Sequence, residues 1–374
     1  MDSFTVKFPL SNTNQLTVAI KDSINLAGTS TFLGSGACAN NLPEKKDAVI
    51  IKNLKDNNFF IAGKTVMHEL AFGMTGVNQF YGTPVNPLYP NLIPGGSSSG
   101  SATAVASGEV DIAIGTDTGG SVRMPAACCG IYGFKPTFGL VSRQGVWPNQ
   151  SSLDCVGVFA RDPALITHTM KALTVGFEEM KLEQDTFDIG WLSVDANEII
   201  IYSVKDALSK CSYIRLHPTH LPDFENAFKA GLTVINRETW LACKDFYATG
   251  QLGSDVAKRL IKASETTDAD LQQAEKIRTL FTAQVDEALK KTRVLALPTL
   301  PSFPMTLESA LAGETDMNIS KLVRPFNLSG HPALSIPCPS QHNLPISLQL
   351  VGRKGDDAFL CALAERLAAS FHNK

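Results

Sequence analysis

The sequence predicts an α/β protein in which helices cover both faces of a large β-sheet. Three observations predict this class. A strand–helix–strand alternation opens the chain, and apolar segments of strand length return near its end. Of the 374 residues, 44% are hydrophobic and only 18% are charged, which suits a deeply buried sheet and excludes a disordered chain.

The first elements follow from hydrophobic spacing. Residues 16–20 (LTVAI) form a predicted strand that ends at Lys21, and 59–65 (FFIAGKT) form a second, buried strand. Between them, 47–57 carry apolar residues at helical spacing, with Asp47 as the expected N-cap. The Gly-, Pro- and Asn-rich stretch that follows, from residue 73 to 96, is typical of an ordered loop.

Residues 95–101 (GGSSSGS) have the composition of a flexible linker. A helix of small residues over 101–109 and a strand over 111–117 follow at once. A linker separates autonomous units, whereas both flanks here are elements of one sheet. The sequence therefore favours an ordered segment inside the core.

The C-terminal half alternates again. Residues 161–290 are mostly helical by pattern, because apolar residues recur there every three or four positions. Strands are predicted again at 293–298, 332–337 and 346–352. An amphipathic helix over 356–371 closes the chain.

Charge and cysteine usage narrow the function classes. With 33 Lys+Arg and 36 Asp+Glu, the net charge of −3 offers no basic footprint for nucleic acid or an anionic membrane. No run approaches about 18 apolar residues, and the opening MDSFTVKFPLSN lacks the basic and apolar regions of a signal peptide. Eight cysteines without a CxxC pair predict reduced thiols, and we expect a cytoplasmic protein.

Two short segments resemble known motifs but lack a residue that the motif requires, and other motifs are absent altogether. The GKT at 63–65 lacks the glycine of a phosphate-binding loop, since position 58 is Asn58. The His-Glu pair at 68–69 lacks the second histidine of a zinc protease, because position 72 is Phe72. The seven histidines show no ligand spacing, so no metal site is expected, and no GxSxG elbow is present.

The segment GTDTGGSVR points to acyl chemistry. Ser121 follows Gly119 and Gly120 directly, and successive glycine amides can converge into an anion-binding nest beside a nucleophile. Asp117 and Arg123 are close enough in sequence to pair and fix this turn. A glycine-rich turn with a capping serine remains an alternative interpretation.

A serine nucleophile needs a base, because its own pKa is too high near neutral pH. No histidine stands in a recognisable partner motif. A lysine serves if desolvation lowers its pKa, and Lys21 follows the apolar or small residues 17–20. The alternative is a strand-end lysine that reaches solvent.

Together these residues resemble the amidase signature family of serine hydrolases. The run 95–137 matches the Gly/Ser-rich signature, and further matching segments extend the resemblance over most of the chain, namely VAIKD, IAGKTVMHELAFG, YGTPVNP, SSLDCVGVFARD, LALPTLP, FNLSGHPALSIP and PISLQLVGR. The compact form resembles short plant-type indole-3-acetamide hydrolases.

The resemblance implies one fold for the whole chain. At roughly 150 residues per domain, length alone predicts two or three domains. The family instead implies a single amidase domain over 1–374, built on one large mixed β-sheet with helices on both faces. Its signature core spans about 16–160, a mostly helical insertion about 161–290, and the C-terminal part of the core about 291–374.

The resemblance also implies a Ser–cis-Ser–Lys triad. The nucleophile carries over to Ser121, the bridging serine to Ser97 and the base to Lys21. The peptide bond between Gly96 and Ser97 is expected to be cis. Lys64 carries over as a structural lysine.

Further roles follow from the same resemblance. The backbone amides of about Thr118, Gly119 and Gly120 are expected to form the oxyanion hole. Met74 is a candidate lining residue of the substrate pocket. Ser98 is expected in the hydrogen-bonding scaffold and is a candidate substrate contact.

The implied function is an amidase that converts a small carboxamide to carboxylate and ammonia or amine, with no metal or organic cofactor. The alternative is the glutaminase (A-type) subunit of a multi-subunit amidotransferase. A catalytically silent binding protein is disfavoured because all three triad residues are present. Neither nucleic acid nor membrane is an expected partner, and a homodimer is left open.

Overall fold

The computed structural model describes residues 2–9, 14–340 and 343–372. Met1 and residues 10–13 lie outside the described residues. Some of them belong to the opening segment that was judged to lack signal-peptide features. Among the described residues, eleven strands form one sheet: β1 (Phe4–Lys7), β2 (Thr17–Lys21), β3 (Phe60–Thr65), β4 (Ile112–Asp117), β5 (Tyr132–Lys135), β6 (Cys155–Ala160), β7 (Phe187–Leu192), β8 (Ile214–Thr219), β9 (Val294–Pro298), β10 (Ala333–Pro337) and β11 (Ser347–Gly352).

The sheet is mixed, as predicted. Its strand order is β1-β3-β2-β4-β6-β5-β10-β11-β9-β7-β8. Strand β2 runs parallel to β3 and β4, and β7 runs parallel to β8 and β9. The remaining neighbours pair antiparallel. The parallel group at β2 matters for the site, because it brings the carboxyl ends of two neighbouring strands together.

The helices are α1 (Val49–Asp56), α2 (Ser99–Ala106), α3 (Arg123–Cys128), α4 (Pro163–Leu173), α5 (Glu198–Ser209), α6 (Phe224–Ala248), α7 (Ser254–Ser264), α8 (Asp268–Lys291), α9 (Leu307–Leu311), α10 (Arg324–Leu328) and α11 (Asp357–His372). Local chemistry starts several of them. Asp162 accepts the backbone N–H of Ala164 at the start of α4, and Thr267 and Asp270 form a capping box on α8.

Both faces of the sheet are covered. Successive side chains of a strand point to opposite faces. Along β9, Val294 and Ala296 pack in a core with α1, α4, α5 and α11, whereas Leu295 and Leu297 pack in a second core with α6, α8 and α10. Helices α2 and α3 cover the second face at its other end, around Ala113 of β4. The predicted fold class is therefore confirmed.

Two local predictions need correction. Asp47 does not cap α1, because the helix begins at Val49 with Ala48 as N-cap. The backbone N–H of Val49 donates to the carbonyl of Gln144. A backbone carbonyl thus satisfies an N-terminal amide of the helix that a capping side chain would otherwise bind. The carboxylate of Asp47 accepts the N–H of Ala27 instead.

Strands were also missed. The segment 161–290 contains β7 and β8, which extend the sheet beyond β9, and the pattern likewise left out β1, β5 and β6. One sheet therefore runs through all three predicted parts of the chain. Within the described ranges, no helix has the length and apolar character needed to cross a membrane.

Candidate active site

Lys21 stands at the carboxyl end of β2 and is fully buried. Its Nζ lies 2.7 Å from Ser97 Oγ and 2.9 Å from Thr116 Oγ1. Thr116 belongs to β4, the parallel neighbour of β2, while Ser97 lies just before α2. The structure thus brings together two of the three predicted catalytic residues and adds a second hydroxyl.

Burial decides the protonation of this lysine. It lowers the pKa of Lys21 to about 7, although the carboxylates of Asp154 and Asp117 raise it in part. The direct partners of Nζ are hydroxyl groups, which can accept from the ammonium form or donate to the amine. Lys21 therefore has a substantial neutral fraction near neutral pH.

Ser97 is held by its backbone. The Gly96–Ser97 peptide bond is cis, as the resemblance implies. The Ser97 carbonyl accepts the N–H of His68 at 2.9 Å, which ties this loop to the segment after β3. Ser97 is buried, so its hydroxyl reaches Lys21 inside the protein.

Ser121 lies on the turn that leaves β4. Asp117 Oδ1 accepts the N–H of Gly120 at 2.8 Å, and Oδ2 accepts the N–H of Val122 at 3.2 Å. Gly120 has a φ of +115°, and a Cβ there would lie 2.3 Å from Val323 Cγ2. Only glycine fits this position, so the residue before Ser121 is fixed by sterics.

A buried ion pair braces the same turn, as the sequence predicts. Arg123 Nη2 lies 2.9 Å from Asp117 Oδ1, and both side chains are fully buried. Burial raises the pKa of Asp117, but the Arg123 guanidinium outweighs it and holds that pKa well below its usual range. Arg123 also donates to the carbonyl of Val323, to Gln349 and to Asn327. The C-terminal part of the chain thereby fixes the turn.

The predicted oxyanion donors differ among themselves. Within the described ranges, the backbone amides of Thr118, Gly119 and Ser121 make no hydrogen bond. The amide of Gly120 is already donated to Asp117. The turn therefore presents free amides on both sides of Gly120. The contact with Asp117 does not support Gly120 itself as an oxyanion donor, and that role stays a prediction.

A cavity of about 130 Å³ opens on this turn. Its lining includes Thr118, Gly119, Ser121 and the predicted pocket residue Met74. Ser98 lies elsewhere: it is fully buried, and its hydroxyl donates to the carbonyl of Thr116 at 3.3 Å. The structure therefore places Ser98 in the scaffold predicted for it, away from the cavity.

Sequence reasoning missed two residues of the site. Thr116 contacts Lys21, and its position one residue before Asp117, in the strand that leads to the Gly-Gly-Ser turn, was the available signal. Arg324 lines the cavity from far along the chain, and nothing in its local sequence indicates that placement. Throughout the described residues, no group of three or more His, Cys, Asp or Glu side chains could hold a metal ion.

Comparison with known proteins identifies the family of the chain. The sequence model of the amidase family matches residues 9–185 and 203–361. Amidase 1 of Oryza sativa subsp. japonica is 33% identical over 94% of this chain and 89% of its own length. The glutamyl-tRNA(Gln) amidotransferase of Haloarcula marismortui has an A subunit that is 31% identical over 90% of this chain and 91% of its own length.

Solved structures agree as well. A crystal structure of an amidase superposes with a TM-score of 0.84 and 28% identity, covering 95% of this chain and 84% of that one. The A subunit of the Thermotoga maritima glutamyl-tRNA(Gln) amidotransferase gives a TM-score of 0.82 and 25% identity, covering 97% and 86%. The fold and the matches define a hydrolase of amide C–N bonds. The chain belongs to the amidase family.

Proposed function

We propose that this protein, as one amidase domain, hydrolyses a small carboxamide through a Lys21–Ser97–Ser121 triad and an acyl-enzyme. One observation carries the proposal: Lys21 is fully buried with a pKa of about 7, and among the described residues its hydrogen-bond partners are hydroxyls, one of them Ser97 Oγ at 2.7 Å. Ser121 lines the cavity at the turn after β4. This is the arrangement expected of a neutral amine that serves as a base.

Acylation begins with proton movement. Neutral Lys21 accepts the proton of Ser97, Ser97 accepts that of Ser121 Oγ, and Ser121 attacks the amide carbonyl. The developing oxyanion is stabilised by the free amides of the turn, an effect worth about 3–4 kcal/mol per donor. Ser97 then returns a proton to the leaving nitrogen, ammonia or an amine departs, and the acyl group stays on Ser121.

Deacylation runs the same relay on water. Ser97 and Lys21 take a proton from the attacking water and return it to Ser121 Oγ as the ester bond breaks, and the released acid ionises to the carboxylate. The relay ends in its starting protonation state, so the cycle needs no other reactant.

The nucleophile is tested by Ser121→Ala. We expect kcat for amide hydrolysis to fall by at least about 10⁴-fold, because the covalent step is lost. Ser335→Ala is the matched control, since Ser335 is also buried but bonds Thr299 at 3.1 Å within the sheet. Ammonia release and mass spectrometry of the trapped acyl-enzyme measure the outcome. Undiminished turnover in Ser121→Ala would refute the triad.

A glutaminase subunit is the second candidate. It is favoured by relatives that are glutamyl-tRNA(Gln) amidotransferase A subunits, such as that of Methanospirillum hungatei, 31% identical over 91% of this chain. Ammonia release by the purified chain from simple amides supports the stand-alone amidase. Activity that appears only with glutamine and two further co-purifying chains supports the second candidate.

A further inference from the structure

Arg324, the first residue of α10, is a buried cation in the lining of the cavity that Ser121 shares. It is only 4% exposed. Its Nε and Nη1 atoms are buried and make no hydrogen bond within the described part of the chain. The guanidinium stacks over the ring of Phe228 at 4.7 Å, which supports the charge without satisfying its donors.

The two other cations of the lining differ from Arg324, because Lys262 is exposed to solvent and Arg259 is partnered. Arg259, also in the lining, lies 3.5 Å from Asp255 and donates to the carbonyl of Phe72. The acidic residue of the lining, Asp316, accepts the N–H of Asn318. Arg324 thus stands apart: burial lowers its pKa to about 10, no carboxylate offsets that effect, and the group stays charged at neutral pH.

The guanidinium also lies close to the reacting centre. Its Nε is 3.4 Å from the position that a Cβ would take on Gly119, two residues before Ser121. An anionic group held there is therefore a short distance from a carbonyl at Ser121. The cavity of about 130 Å³ is small beside ligand pockets of roughly 300–1,000 Å³, so the group between the two sites is small.

We propose that Arg324 binds a carboxylate on the acyl part of the substrate, which makes the preferred substrate a short amide that also carries a carboxylate. An unpaired buried charge is costly, and a planar guanidinium matches a carboxylate with two parallel hydrogen bonds. The inference deepens the proposed function and rests on it for the position of the scissile amide.

Binding tests it without turnover. In the Ser121→Ala background, succinamate and butyramide are titrated by calorimetry, since they differ mainly in a terminal carboxylate or methyl group. We expect succinamate to bind at least about 30-fold more tightly. Adding Arg324→Met is expected to remove that preference, Arg324→Lys to retain part of it, and the exposed Arg215→Met on β8 to leave it unchanged.

Equal binding of the two ligands to the Ser121→Ala protein overturns the inference, and this comparison needs no change at Arg324. A succinamate preference that survives Arg324→Met in a folded protein overturns it too. The proposed function fails separately: an unmutated enzyme that binds succinamate through Arg324 but releases no ammonia from any amide refutes the triad and leaves the binding site in place. An enzyme that hydrolyses butyramide but shows no preference for the carboxylate ligand supports the proposed function and refutes the role of Arg324.

Discussion

Two fully buried lysines lie on neighbouring parallel strands, Lys21 on β2 and Lys64 on β3, and their surroundings differ. Lys64 Nζ lies 3.0 Å from the carboxylate of Asp22 and donates to the carbonyl of Ser30 and the hydroxyl of Thr31. Among the described residues, the hydrogen-bond partners of Lys21 Nζ are the hydroxyl groups of Ser97 and Thr116.

The two lysines show separately how burial and an adjacent carboxylate affect a lysine pKa. Burial lowers the pKa of both lysines, but at Lys64 an adjacent carboxylate and its hydrogen bond act against that effect. Lys64 therefore has a carboxylate partner that favours its charged form, while the structural role predicted for it stays a prediction. Burial lowers the pKa of Lys21 to about 7, and Asp154 and Asp117 offset it only in part because the direct partners of Lys21 among the described residues are hydroxyl groups.

The largest expected difference is in activity. We expect Lys21→Met to lower kcat/KM for amide hydrolysis by at least about 1,000-fold, the upper range for a general base. Lys64→Met is expected to stay within about tenfold per folded molecule, since it removes no proton acceptor. Ammonia release, normalised to the folded fraction by circular dichroism, measures both. Equal losses per folded molecule would contradict the comparison.

Stability is expected to rank the two variants in the opposite order. Lys64→Met leaves the Asp22 carboxylate buried without its partner and is expected to lose about 3–5 kcal/mol of unfolding free energy. Lys21→Met removes a costly buried amine along with its two hydrogen bonds and is expected to stay within about 2 kcal/mol. Urea unfolding measures both. The double variant Asp22→Asn, Lys64→Met should regain part of the loss.

The pH dependence sharpens the assignment of Lys21. In the proposed mechanism the neutral amine is the base, so kcat/KM should rise with pH through about 7, the pKa of Lys21. This pKa is depressed from 10.5, so the unfolded chain binds the extra proton between these values. The contribution of Lys21 to stability therefore increases as pH rises from about 7 to 10.5. A flat rate profile from about pH 5 to 8 would contradict the proposed base.

The smallest effect concerns the hydroxyls beside each lysine. Thr116→Val removes an acceptor that stabilises charged Lys21, so the acid limb of the rate profile should move down by about one pH unit. Thr31→Val is the matched control at Lys64 and should leave that limb in place. The two profiles, measured with one substrate, compare directly. A shift of the acid limb in Thr31→Val, or no shift in Thr116→Val, would contradict the difference proposed between the two lysines.

Local sequence predicted the parts of the site that depend on local geometry. Asp117 and Arg123 pair as expected, because six residues span one tight turn. The contact of Lys21 with Ser97 joins residues 76 positions apart, and it was predicted from the family resemblance alone. Hydrophobic spacing gave no indication of it.

What sequence reasoning missed is mostly non-local. Arg324 reaches the cavity through packing of α10 against the turn, a contact across about 200 residues that no short pattern encodes. Strand β8 was missed because its residues are half-buried or exposed, so the apolar run of an interior strand is absent there. Asp47 shows the converse case, in which a good capping residue is displaced by a tertiary contact.

The bracing of the Ser121 turn by Gln349 has a consequence for synthesis. Arg123 bonds Val323, Asn327 and Gln349, which follow it along the chain by 200, 204 and 226 residues. Early folding of the N-terminal strands therefore leaves a buried arginine lacking three of its partners. The Ser121 turn therefore acquires all of these braces only after Gln349 has been made, and a chain that stops before Gln349 is expected to lack the fully braced turn.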